Sequence, residues 1–252
     1  MSKASQKRDS TSAQASEAAP TADVSKALLL EVYHRLYERY GPQHWWPGES
    51  PLETVLGAIL TQNTAWTNVE KALANLKGTD MLSVHALRGV AEPDLAAMLR
   101  PSGYFNAKAR KVKAFINYLW DCYHGEMEEF LQEDTEWLRE ELLSIYGIGE
   151  ETADDILLYA AGKPSFVIDT YTRRILERLA LKPSDGKSYQ AYQRLFHRNL
   201  PRDVSLYNEY HALLDRHGKE TCKKEPLCRG CCLLELCPRG RLSIDTSNSQ
   251  TL

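Results

Sequence analysis

The stretch Leu143-Ser144-Ile145-Tyr146-Gly147-Ile148-Gly149-Glu150-Glu151-Thr152-Ala153 decides how this chain is read. Two glycines flank one apolar residue, and on both sides apolar residues recur at helical spacing. The pattern predicts a tight hairpin joining two helices, over 135–144 and 151–161, with backbone N–H groups turned outward. Amides at a helix N-terminus bind an anion without side-chain charge; the same pattern also suits an ordinary helix–helix turn. Working outward, helical spacing returns from Ser25 to a Gly41-Pro42 stop and again over 68–76, 93–99, 106–123, 170–179, 189–198 and 205–217. Ser50-Pro51-Leu52-Glu53 is a capping box with proline at the first helical position, opening a buried helix through Leu60. No alternating strand pattern or Asn-Gly turn interrupts these runs. The expected fold class is all-α.

The 252 residues are 43% hydrophobic and 26% charged, enough for a sizeable core in one large or two small domains. The longest apolar runs, such as Val55-Leu56-Gly57-Ala58-Ile59-Leu60, fall far short of the roughly 20 residues of a membrane span. The six cysteines are too few and too unevenly placed for a secreted disulfide scaffold. Residues 1–24 are rich in Ser, Ala and Thr with cancelling charges and no apolar core, and read as a disordered tail. A cytoplasmic protein is expected, not a secreted one, with no membrane partner and a monomeric state.

The net charge of −3 excludes a polycation, so any nucleic-acid contact must come from local patches. One patch runs from Arg100 through Lys108, Arg110, Lys111 and Lys113 with no acid among them. A second, from Arg216 to Arg241, carries Lys219, Lys223, Lys224 and Arg229. Between the two, 121–155 is strongly acidic, with Arg139 as its one Lys or Arg. For any single charge a solvated helix face is the plainer reading.

Three further features can carry chemistry. Cys222-x5-Cys228-x2-Cys231-x5-Cys237 gathers thiols that could converge on one centre, and soft sulfur ligands select zinc or an iron–sulfur cluster. Zinc usually pairs two short Cys-x2-Cys elements, whereas a single such element between lone cysteines leans towards a cluster. Asp169 follows the apolar run Phe166-Val167-Ile168 and precedes a helix, as an N-cap does; capping and catalysis are compatible. Trp45-Trp46 are adjacent in a loop, so at least one can line a pocket, although core packing of both is an even alternative.

In this order the pieces resemble the endonuclease III superfamily of helix-hairpin-helix DNA glycosylases. The resemblance runs from about Leu28 to Arg241 and rests on Leu60-Thr61-Gln62-Asn63-Thr64, Gly147-Ile148-Gly149, Val167-Ile168-Asp169 and the cysteine loop. It implies two helical domains with damaged DNA in the cleft between them, here 51–179 and a second built from 25–50 with 180–241, followed by a flexible end over 242–252. It also implies phosphate binding at Gly147 and Gly149, a [4Fe–4S] cluster on Cys222, Cys228, Cys231 and Cys237 with zinc as the lesser alternative, and Asp169 as the catalytic aspartate. Cys232 leaves the identity of the third ligand open. If the source is bacterial, the protein would be nucleoid-associated.

Two departures sharpen the expectation. Bifunctional members carry a lysine two positions after the second hairpin glycine, where this chain has Glu151; a carboxylate forms no imine, so a monofunctional glycosylase using water is expected. Trp45-Trp46-Pro47, the Gln62 segment and Arg100–Ala109 look like the 3-methyladenine DNA glycosylase branch. An N-alkylated purine is cationic and leaves readily, so tryptophan faces and Glu151 would serve as an electron-rich base pocket. Gln62 is expected to fill the gap left by the extruded base, and Lys108, Lys219, Lys223 and Lys224 to meet phosphates. The alternatives are a glycosylase for oxidised pyrimidines or mismatches, and a non-catalytic DNA-binding homologue.

Overall fold

Ser50 begins the buried heart of the first half of the chain: its Oγ accepts the Glu53 N–H at 3.2 Å, while the Glu53 carboxylate reaches back to the Glu49 N–H at 3.0 Å. The helix it caps, α2 (Pro51–Leu60), follows α1 (Lys26–Tyr40) and is buried on all sides from Leu52 to Leu60, with only Glu53 and Thr54 polar among those residues. The computed structural model describes residues 26–249; the expected tail over 1–24 lies outside the described residues. Around α2 stand α3 (Trp66–Gly78), α4 (Val84–Gly89), α5 (Glu92–Met98), α6 (Phe105–Tyr123), α7 (Met127–Gln132), α8 (Thr135–Ser144) and α9 (Glu150–Asp155). Beyond Asp155 the same helix widens into a π-turn over Ile156–Ala160. The chain then continues through α10 (Thr170–Arg178), α11 (Tyr189–Asn199), α12 (Val204–Glu220) and α13 (Pro238–Ser249). No β-strand occurs among the described residues, and the fold is all-α.

The six-residue helices α4 and α7 lie where periodicity expects none, because two turns are too short to establish it. Residues 242–249, expected as a flexible end, continue α13. Its first turn is anchored by the Gly240 N–H, which donates to Cys237 Sγ at 3.2 Å.

Buried apolar side chains form two clusters. One joins α2 to α9 and ends at Leu157; the other begins at Leu158 and packs α10, α11 and α12 against Leu29, Val32 and Leu36 of α1. The two clusters thus meet between Leu157 and Leu158, in the π-turn that continues α9. Phe166, Val167, Ile168, Ile175 and Leu176 belong to the second cluster, with Phe166 stacked on Phe196 at 3.6 Å.

The segment Phe166–Ile168 is neither helix nor strand, and its polar groups pair with side chains. Phe166 N–H donates to His197 Nε2 at 3.0 Å, Ile168 N–H to the Tyr189 hydroxyl at 3.2 Å, and Gln193 Nε2 to the Phe166 carbonyl at 2.9 Å. Asp154, fully buried, receives two bonds from Arg139 at 2.9 and 3.0 Å and one from Ser165 Oγ at 2.6 Å. Buried polar groups satisfied this completely hold one geometry. That geometry delivers Asp169 to a fixed place.

Candidate active site

Asp169 caps α10: its Oδ1 accepts the Thr172 N–H at 2.6 Å. Burial raises its carboxyl above the ordinary value, while the Thr172 bonds, Lys219 and Arg174 pull it back. Beside it, Glu151 is open to solvent but surrounded by protein that displaces bulk water. Its carboxyl is pushed up to about 7, first by that desolvation and then by the charge of Asp169, with Arg173 opposing.

The tryptophans complete the recess. The Trp46 ring lies 5.2 Å from Trp66 and 5.0 Å from Tyr159, and a Cβ on Gly57 of α2 would stand 3.1 Å from its Nε1. Trp46 is thus seated on α2. Trp45 meets Trp46 edge-on at 6.0 Å, with ring centres 5.8 Å from His211 and 6.2 Å from Tyr159; Asn208 fixes its carbonyl at 2.9 Å and the Lys219 ammonium sits 5.7 Å from its ring. Sequence reasoning named Trp45, Trp46, Glu151 and Asp169; it did not name Asp155, Tyr159, His211 and Asp215, which the structure gathers with them. The missed signal was a pair of acids, Asp154-Asp155, inside a helix otherwise apolar enough to be buried.

The hairpin is braced. Gly147 adopts φ +87°, and a Cβ there would stand 2.3 Å from Lys111 Cγ, so the lysine stem fills the space a side chain would need. Lys111 Nζ in turn donates to Gln62 Oε1. Gln62 Nε2 donates to the Gly147 carbonyl at 3.0 Å and to Thr152 Oγ1 at 2.9 Å. In this state Gln62 buttresses the hairpin, and filling a vacated base position would require breaking these bonds. Gly149 has an ordinary φ of −99° and open space where its Cβ would be.

Lys108 requires a correction. It is 3% exposed, and its Nζ donates to the carbonyls of Leu60 and Ser102, each at 2.7 Å. These carbonyls lie at the end of α2 and in the turn over Arg100–Ser102 that precedes α6, so Lys108 cements the fold and cannot reach a phosphate. Burial, then the charge of Lys111, lowers it to about 8. Lys223 and Lys224 are exposed, with their backbone carbonyls held by Arg178 at 2.6 and 2.9 Å. Lys219 is exposed but paired with Asp215 at 2.7 Å.

Cys222, Cys228, Cys231 and Cys237 line one cavity together with Arg178, Leu227 and Leu234. Cys232 is not part of that lining; the charges that act on it are those of Arg39 and Arg35 on α1. Donors already face the sulfurs: Arg178 NH1 lies 3.1 Å from Cys222 Sγ, and the Gly240 N–H points at Cys237. Arg174 and Arg178 of α10 also bind the Cys222 carbonyl, tying the loop to the helix that Asp169 caps.

Residues 56–202 match the family described as HhH-GPD superfamily base excision DNA repair protein. A relative in Methanocaldococcus jannaschii, whose name places it among DNA repair glycosylases, is 44% identical over 212 residues, covering 83% of this chain and 96% of its own. Endonuclease III of Sulfolobus acidocaldarius is 30% identical over 186 residues, 73% of this chain and 80% of its own. Among solved structures, the Helicobacter pylori 3-methyladenine DNA glycosylase bound to 1,N6-ethenoadenine superposes with a TM-score of 0.67 at 29% identity, covering 78% of this chain and 98% of that one. An endonuclease III–DNA covalent intermediate superposes at 0.76 with 23% identity, covering 88% and 99%, a likeness of fold.

Proposed function

Because the chain belongs to the HhH-GPD superfamily of base excision DNA repair proteins, we propose that it is a monofunctional DNA glycosylase that releases alkylated purines of the 3-methyladenine type and leaves an abasic site. One observation carries the reading: the residue beside Asp169, two positions after Gly149, is a carboxylate and not an amine. A carboxylate offers no route to a Schiff base but attracts a cationic base.

The hairpin amides and the exposed Lys223 and Lys224 hold the DNA backbone, largely without regard to sequence. Extruding the damaged nucleotide costs a few kcal/mol, less for a lesion. Its base stacks on Trp45 over the floor that Trp46 and Tyr159 form. As the glycosidic bond breaks, Asp169 stabilises the oxocarbenium charge and orients water for attack. Its oxygen Oδ1, already held by the Thr172 N–H, is kept in place while the other meets the sugar. The two buried clusters correspond to two lobes flanking a DNA cleft.

The same reading assigns a [4Fe–4S] cluster to Cys222, Cys228, Cys231 and Cys237. The four thiols line one cavity, and soft sulfur ligands around one Cys-x2-Cys element suit a cluster. When bound it supplies structure, cross-linking the loop that bears Lys223 and Lys224. A lesion panel scored for free base tests the function: release of methylated purine, its loss in Asp169→Asn and no borohydride-trapped adduct are expected. Release of thymine glycol alone, or of nothing, overturns it.

A further inference from the structure

The recess beside Asp169 is walled by two facing stripes. On the α9 helix Glu151, Asp155 and Tyr159 recur every four residues, from the hairpin mouth inward to the tryptophans. On α12 Lys219, Asp215 and His211 recur at the same interval. The Tyr159 hydroxyl and His211 Nδ1, 2.6 Å apart, join the two stripes at the inner end. Asp155 stands between them, within the fields of Glu151, Asp169 and Asp215.

Asp155 is 4% exposed, and its Oδ1 has no hydrogen-bond partner. The fold does not use this oxygen, since the structural bonds to Arg139 and Ser165 go to Asp154. His211 Nε2, on the ring packed against Trp45 and Tyr159, is likewise buried and unpaired. Buried polar groups are ordinarily satisfied. A flat, polar ring entering beside Trp45 and Tyr159 would find its partners in these two atoms.

We propose that Asp155 determines specificity by reading the amino-and-ring-nitrogen edge of an extruded adenine-type base, an inference that rests on the glycosylase function above. Burial, reinforced by the neighbouring carboxylates, raises the Asp155 carboxyl well above its ordinary value and so favours the neutral acid. A neutral acid presents one donor and one acceptor side by side: its O–H donates to the purine N1 while its carbonyl oxygen accepts from the exocyclic N6–H. An N3-alkylated adenine keeps both positions. A 1,N6-etheno bridge consumes both and removes the amino hydrogens. Asp155 therefore favours the first base over the second, while Glu151, nearer the mouth, supplies the attraction for positive charge.

Single-turnover release from duplexes carrying 3-methyladenine or 1,N6-ethenoadenine, with wild type, Asp155→Asn and Asp155→Leu, tests this. The amide also offers a donor and an acceptor, so Asp155→Asn should stay within about threefold of wild type on 3-methyladenine. Asp155→Leu should lose about ten- to hundredfold on 3-methyladenine and little on the etheno base, so that the preference collapses. Its thermal midpoint should not fall, because an unpaired buried carboxyl is removed. An unchanged preference in Asp155→Leu overturns the proposal, as do parallel losses on both bases with lowered midpoints in both variants. A wild type that releases neither base overturns the function itself and is told apart by needing no variant.

Discussion

Gly147 and Gly149 look equivalent in sequence, and replacing each by alanine should separate them. At Gly147 the φ of +87° is one an L side chain adopts at a cost of about 1–2 kcal/mol. The new Cβ would also overlap the Lys111 stem, 2.3 Å from Cγ and 2.6 Å from Cδ, and drive the ammonium off Gln62. A hydrogen bond to a charged group contributes about 1.5–3 kcal/mol, and the half-buried setting argues for the lower end. Together these give about 3 kcal/mol, a fall in Tm of about 6–12 °C for a domain of this size. At Gly149 the φ of −99° is ordinary and the space is open. The poorer N-cap costs up to about 1 kcal/mol, offset by about 0.4–1 kcal/mol from a stiffer unfolded chain. Gly149→Ala should therefore melt like wild type. If the hairpin presents its amides to a phosphate, however, the added methyl blocks the approach and affinity should drop tenfold or more. Thermal melts, paired with fluorescence anisotropy on an abasic-site duplex at one fixed salt concentration, measure both quantities. Wild-type affinity in Gly149→Ala would refute backbone contact at the hairpin, and an unshifted melt in Gly147→Ala would refute the lysine wedge.

Asp169→Asn should abolish base release while leaving binding to the lesion duplex close to wild type, as single-turnover assays and anisotropy can show. Glu151, raised to about 7, is neutral below that pH and ionised above it, so release of a cationic base should climb as pH passes through about 7, and Glu151→Gln should lack that rise. The linked stability has the opposite sense: a raised carboxyl loses its contribution as pH increases through 7, so Glu151→Gln should unfold later than wild type in alkaline buffer. Cys231→Ser should lose the visible absorbance and iron of the purified protein whereas Cys232→Ser keeps both; equal loss would show Cys232 to be a ligand. Lys108→Met should be destabilised by about 1–3 kcal/mol for each stranded carbonyl without altering the salt dependence of DNA binding. Lys223→Ala should instead reduce that slope by about one.

Periodicity and caps made the helical class legible from sequence alone. Ser50, Asp134, Ser188 and Asp203 all cap helices with their side chains, and the long amphipathic or fully apolar runs leave no other way to bury their surface. The cysteine spacing, the hairpin glycines and the carboxylate at 169 were equally readable, because each depends on neighbours close in the chain. Tertiary structure alone decided the fate of groups whose partners lie far away. Lys108 reads as a surface base until the carbonyl of Leu60, 48 residues earlier, is seen to accept its hydrogen bond. Asp154 and Asp155 are adjacent and chemically identical, yet helical rotation turns one towards Arg139 and leaves an oxygen of the other unpaired beside Asp169. Charge and periodicity are local properties, whereas burial and pairing belong to surfaces that only folding brings together.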